Sequence, residues 1–179
     1  DETIKEVTAL FRKITPADII PVKPIEAELA KLFTNSWRYI RFAVANQFFM
    51  IAQDHGLNYH NIHRAMNKDY PRNRDLPSPG FAAGPCLFKD TMQLAAFTNN
   101  NFWIGHAAML VNEGLVNHVI GDLKREYGHS LKDKTVGILG MAFKAEVDDP
   151  RASLSYKLRK MAQMECKTVL CTDEHIKNP

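Results

Sequence analysis

Cysteine is scarce in this chain of 179 residues: Cys86, Cys166 and Cys171 are its 3 examples. An odd, sparse set excludes a disulfide framework and favours a reducing, cytoplasmic setting. No apolar run approaches the roughly 18 residues needed to span a bilayer. The opening Asp1-Glu2-Thr3-Ile4-Lys5-Glu6 is acidic and mixed, unlike a secretory leader. Repeats, low-complexity tracts and charge blocks are also missing. The net charge of +3 is dispersed, which argues against a nucleic-acid surface. Its densest basic cluster, Lys157, Arg159 and Lys160, falls within an amphipathic helical pattern and reads as a solvated face. A mild positive balance suits a phosphorylated small molecule. No metal site is expected, because His60 and His63 share a helix face without a third ligand at useful spacing.

What is present is a mainly helical pattern followed by a partial α/β unit. Residues 4–13 read as a helix with Ile4, Val7, Leu10 and Phe11 on its apolar face. Ile19–Val22 follows as an extended piece that Pro21 and Pro24 keep out of a central strand. A long helix is expected from Glu26 to His55, stopped by Gly56. At 1.5 Å per residue it would run about 45 Å, longer than a small domain, so part of it should meet a second subunit or another domain. Further helices are expected at about 59–67 and from Asn101 to Tyr127. In the latter, Gly105, Gly114 and Gly121 would permit close packing.

After Gly128 the character changes. Lys134–Gly140 reads as a buried strand with a glycine turn, and Asp149-Pro150 as the N-cap and N1 of a helix through Met164. Lys167–Asp173 reads as a second strand. Strand, crossover helix and strand make one right-handed parallel unit. One such unit rarely makes a domain, so an α/β domain cut short is expected.

The chemistry centres on Cys86. It sits in the loop Pro79-Gly80-Phe81-Ala82-Ala83-Gly84-Pro85-Cys86-Leu87-Phe88-Lys89-Asp90. A thiol flanked by cations and free backbone N–H groups is suited to nucleophilic catalysis. Lys31 and Asn35, one helical turn apart, share a face of the long helix. If that helix packs beside the loop, a nucleophile, cations and a water-orienting carboxylate, Asp90, meet at one place. Gly137-Ile138-Leu139-Gly140-Met141-Ala142 has the strand-to-turn setting of a nucleotide fold without the Gly-x-Gly-x-x-Gly order. Phe143 and Lys144 follow, an aromatic for stacking and a cation for phosphate or sugar. Asp148, Asp149 and Arg151 stand at the next helix.

Three segments in order resemble the UDP-glucose/GDP-mannose dehydrogenase family. They are Glu28-x-x-Lys31-x-x-x-Asn35 with Asn46 beyond it, the Pro79–Asp90 loop, and Gly140-x-Ala142-Phe143-Lys144 with Asp148-Asp149-x-Arg151-x-Ser153. The resemblance implies that 1–24 close an NAD-binding Rossmann domain. By the same resemblance, 25–128 form a central helical dimerisation and catalytic domain, and 129–179 begin the nucleotide-sugar-binding domain. It implies NAD as cofactor, a nucleotide sugar as substrate, and a homodimer through the long helices. Its chemistry would be a four-electron oxidation of an alcohol to a carboxylate through an aldehyde.

In that chemistry Cys86 would carry a thiohemiacetal and then a thioester, Lys31 would stabilise the oxyanion, and Asn35 and Asp90 would position water. Lys144 and Arg151, with Phe81, Lys89 and Arg72, would contact substrate. The chain departs from the family with Phe88 where proline is common, Ala82 where glycine is usual, and Gln47 where glutamate often follows the asparagine. The expected NAD pocket lies in a preceding domain, so these 179 residues alone are expected to be inactive. The alternatives are a non-enzymatic helical dimerisation module and a dehydrogenase making a single hydride transfer on a hydroxy acid.

Overall fold

The computed structural model describes residues 2–82 and 84–177, so Ala83 of the Cys86 loop lies outside them. Helix α1 (Glu2–Phe11) leads by an irregular stretch into α2 (Pro24–Asp54), and α3 (Tyr59–Asn67) and a single 3-10 turn (Pro71–Asn73) follow. Next come α4 (Leu87–Phe97) and α5 (Trp103–Glu126), then β1 (Thr135–Leu139), α6 (Leu154–Glu165) and β2 (Thr168–Thr172). The molecule is mainly α with a partial α/β unit.

Helix α2 begins where Pro24 presets the first turn and Glu26 Oε2 accepts a hydrogen bond from the Lys23 N–H at 2.8 Å. It packs against both α4 and α5, enclosing Tyr39, Ala43, Ala82, Leu87 and Ala108 in one core. Small residues at Ala43 and Ala108 allow the close approach, and Gly105 does the same for α4. A Cβ at Gly105 would stand 3.1 Å from Thr91 Cγ2 and 2.4 Å from the Phe102 ring. Gly114 and Gly121 show no such crowding, so only one of the three glycines expected to permit close packing does so.

A second core, Ile120, Leu131, Ala162 and Cys166, joins the end of α5 to the α/β unit. There β1 and β2 pair in parallel, Thr135 opposite Thr168 through Leu139 opposite Thr172. Lys157 Nζ strengthens the junction, donating to the Glu113 carbonyl at 2.9 Å and to its carboxylate at 3.2 Å.

Three expectations change. Helix α4 is an addition, starting directly after Cys86. Helix α6 is capped by Ser153, whose Oγ accepts from Ser155 N, and starts at Leu154; Asp149-Pro150 form a turn before it. The Asp149 carboxylate caps its own turn instead, accepting from Arg151 N at 2.9 Å. Strand β1 buries only Ile138, because α6 covers one face while Leu139 on the other is 84% exposed. Helix α1 buries no residue, and its apolar stripe, Ile4, Val7, Leu10 and Phe11, is exposed. No helix among the described residues is long and apolar enough to cross a membrane.

Candidate active site

The packing of α2 on α4 brings distant sequence together around one carboxylate. Asp90 lies in the first turn of α4 with its side chain 2% exposed. Its Oδ2 accepts from Lys31 Nζ and from Asn35 Nδ2, the latter at 2.5 Å. Lys89 Nζ stands 3.6 Å from Oδ1. Burial pushes the Asp90 pKa up, but the hydrogen bonds from Lys31 and Asn35 and the charges of Lys31 and Lys89 outweigh it. The net result is a carboxyl held below the usual aspartate value. Both lysine side chains remain more than half exposed, so their charge faces the solvent side of the site.

Cys86 is the residue immediately before α4, and its carbonyl accepts from Asp90 N at 2.9 Å. One helical turn therefore fixes the spacing between thiol and carboxylate. Among the three cysteines it is the exposed one. Cys166 is buried in the second core, where burial and then the nearby Glu165 charge push its thiol pKa up.

The Cys86 loop also touches the α/β unit. Gly84 N donates to the Ala152 carbonyl at 3.4 Å. Gly84 has φ of 102°, and a Cβ there would come within 2.7 Å of the Phe143 ring. Arg151, from the same turn as Ala152, is held by Asp149 through paired contacts of 2.9, 3.1 and 2.7 Å. This hydrogen bonding, then the Asp149 charge, raises the guanidinium pKa, and the Cys86 sulfur acts in the same direction.

Beside the loop opens a cavity of about 680 Å³, walled by Phe81, Phe143, Lys144, Ser153, Thr172 and His175 among others. Lys144 Nζ sits 5.7 Å from the centre of the Phe143 ring. Asp173, at the end of β2, organises the cavity floor. Its Oδ2 accepts from Met141 N at 2.6 Å and Ala142 N at 2.9 Å, and its Oδ1 from His175 N and Ile176 N. Those backbone donors, Met141 and Ala142 foremost, hold the Asp173 pKa far below the usual range. Since Asp173 occupies the Met141 and Ala142 N–H groups, these two are not free to donate to a pyrophosphate.

Lys31, Asn35, Lys89 and Asp90 are thus gathered at one end of α4, with Cys86 adjoining. Phe81 and Lys144 line the neighbouring cavity, and Arg151, paired with Asp149, is near enough to Cys86 for their charges to interact. Arg72 is elsewhere, in a separate cleft with Trp37, Arg41 and Asp75. His63 is committed to the Leu76 carbonyl at 3.2 Å. In a cluster of possible metal ligands not anticipated from sequence, Asp54, His118 and Asp122, both carboxylates already pair with the Arg125 guanidinium and His118 pairs with Asp122.

Sequence reasoning overlooked Asp173 and Asn112. The first had a signal, an aspartate ending a strand beside a glycine turn. The second is a lone amide on the buried stripe of α5, among Ala108, Leu115 and Val116.

Residues 25–114 match the central domain of the UDP-glucose/GDP-mannose dehydrogenase family, a stretch that supplies Lys31, Asn35, Cys86 and Asp90. The chain belongs to that family. The UDP-N-acetyl-D-mannosamine dehydrogenase of Methanococcus maripaludis is 30% identical over 179 residues, which cover 97% of this chain and 40% of that protein. The NDP-N-acetyl-D-galactosaminuronic acid dehydrogenase of Ralstonia solanacearum is 30% identical over 153 residues, covering 84% of this chain and 36% of that one. The solved UDP-D-ManNAc dehydrogenase of Pyrococcus horikoshii shares the fold, with a TM-score of 0.88 at 24% identity, over 99% of this chain and 43% of that one. The family chain described here therefore spans about two fifths of the length of these relatives.

Proposed function

We propose that the protein carrying this chain is an NAD-dependent dehydrogenase that oxidises the C6 alcohol of a nucleotide sugar to a uronate, through an aldehyde. The observation that carries this reading is the convergence of Lys31, Asn35 and Lys89 on buried Asp90, one turn from exposed Cys86 and beside the Phe143–Lys144 cavity.

In the second half of the reaction Cys86 Sγ adds to the aldehyde carbon, forming a C–S bond and a thiohemiacetal. Loss of its C–H hydride leaves a thioester, and water then forms a C–O bond as the C–S bond breaks, releasing carboxylate and thiol. Lys31 is placed to stabilise the oxyanions of addition and hydrolysis, because Asp90 holds its ammonium in position beforehand. Asn35 and Asp90 would orient the attacking water and take its proton. NAD would accept both hydrides and, by family resemblance, is assigned to residues outside this chain. The 179 residues by themselves are accordingly expected to be inactive.

Lys144 and Phe143 suit a nucleotide in the large cavity, Phe81 closes its wall, and Arg151 and Lys89 offer positive charge near the thiol. Arg72, in a separate cleft, would reach substrate only by way of a second copy or a different chain conformation. A homodimer would cover the apolar cleft between α2 and α5, lined by Ile40, Ala43, Val44, Ile104, Ala107 and Val111. Three unpaired cysteines fit a cytoplasmic setting.

The test is stoichiometric. The full-length protein, given NAD and a panel of UDP- and GDP-sugars with and without a 2-acetamido group, should form two NADH per uronate. One NADH per sugar, with a stable aldehyde or ketone, would instead support a single hydride transfer.

A further inference from the structure

Two buried amides, Asn46 of α2 and Asn112 of α5, form a clamp that the proposed chemistry above does not use. Both side chains are fully buried. Asn46 grips one backbone unit from both sides: its Nδ2 donates to the Gly80 carbonyl at 2.9 Å, and its Oδ1 accepts from Gly80 N at 2.8 Å. These are the two bonds a neighbouring β-strand would make. The second hydrogen of Nδ2 goes to Asn112 Oδ1 at 2.9 Å, and Asn112 Nδ2 donates to the Tyr39 carbonyl at 3.0 Å. Both hydrogens of Asn46 Nδ2 and one of Asn112 Nδ2 are bonded, so neither amide can flip without losing bonds.

The position of the clamp gives it a function. Gly80 lies six residues before Cys86 and directly before Phe81, which lines the large cavity. Among the described residues the 3-10 turn is the regular structure of the loop between α3 and α4; Arg41 of α2 holds the loop at the Asp75 carbonyl, 2.9 Å away, and Gly80 is a second anchor to α2, closer to Cys86. Directly after Cys86, α4 begins and is pinned through Asp90 to the same helix, α2. The Cys86 loop is therefore tied to α2 at both ends, by Asn46 before it and by Asp90 after it. Nothing stands within 4 Å of where a Cβ would be at Gly80, so the clamp reads backbone rather than side-chain shape.

We propose that Asn46, held in its rotamer by Asn112, is a positioning residue that sets the Cys86–Phe81 loop against the substrate cavity. What the loop is positioned for rests on the dehydrogenase reading; the clamp itself does not. Asn46→Leu removes both Gly80 bonds, Asn112→Leu removes only the brace behind them, and Val116→Ala serves as a buried α5 control that leaves the clamp intact.

Amide hydrogen exchange on the 179-residue chain tests the clamp without any activity. In Asn46→Leu the Gly80 amide should exchange at least about tenfold faster, while amides at the centres of α2 and α5 keep their rates. Asn112→Leu should give a smaller acceleration, and Val116→Ala none specific to Gly80. An unchanged Gly80 rate in a folded Asn46→Leu, or uniform acceleration matching Val116→Ala, overturns the clamp.

In the full-length protein, Asn46→Leu should lower kcat about 100-fold per folded molecule while the KM for nucleotide sugar changes little. Gly80→Ala should keep wild-type values. A loss of kcat no greater than that of Val116→Ala would overturn the positioning role. Altered Gly80 exchange in a protein that oxidises no nucleotide sugar would sustain the clamp and sink the dehydrogenase reading.

Discussion

At the residue scale, Gly84 and Asp90 have the most sharply defined duties. Gly84 is required twice, by its φ of 102° and by the Phe143 ring where a Cβ would stand. Gly84→Ala should lower stability by about 1–3 kcal/mol, read as a lower urea midpoint at unchanged m-value. Asp90 contributes through charge. Its folded pKa lies below the unfolded value of about 3.9, so its stabilisation is present above that value and is lost as pH falls through the lower folded value. The stability gap between wild type and Asp90→Asn should therefore be largest near neutral pH, about 1.5–3 kcal/mol, and should close progressively below about pH 4. A gap that widened in acid would reverse the assignment. The group around Asp90 was legible in the sequence because helical spacing puts Lys31 and Asn35 on one face and the family pattern marks Asp90. The Asn46–Asn112 pair was not, since the bond between them spans 66 positions and no local pattern announces it.

At the element scale, most of the helices announced themselves by apolar periodicity, and α4 did not. Its start follows Gly84-Pro85-Cys86 and lacks the Ser, Thr, Asp or Asn cap that marks a helix entry. Tertiary contact with α2 and the Thr91 hydroxyl on the Leu87 carbonyl carry it instead. The opposite error occurred at α6, where Asp149-Pro150 has the composition of a cap but serves as a turn that aims Arg151, and Ser153 caps the helix. The strand pair was legible in its parallel direction, yet its second face is open, because sequence alone does not tell which neighbours cover a strand. The turn after β1 depends on Asp173. Asp173→Ala should release the Met141 and Ala142 amides to exchange and weaken binding of a nucleotide in the neighbouring cavity, measured by titration calorimetry. Retained protection of both amides would show that the turn holds itself.

For the whole molecule, the exposed apolar faces of α1, α2, α5 and β1 are where this chain would meet further protein. The proposed dimer uses the α2–α5 cleft, with Val44 and Ile104 at its rim. Val44→Glu with Ile104→Glu should shift sedimentation from dimer to monomer while helicity is kept, and a dimer that survives both charges would place the interface elsewhere. The central claim is that Cys86 bonds covalently to the sugar during its oxidation. Peptide-resolved mass spectrometry of the full-length protein, quenched during turnover with NAD and a nucleotide sugar, tests it most directly in a Lys31→Ala variant, where hydrolysis should lag. The account predicts a sugar adduct on the Cys86 peptide, and no uronate from Cys86→Ser. Uronate formation that continues in Cys86→Ser would contradict it.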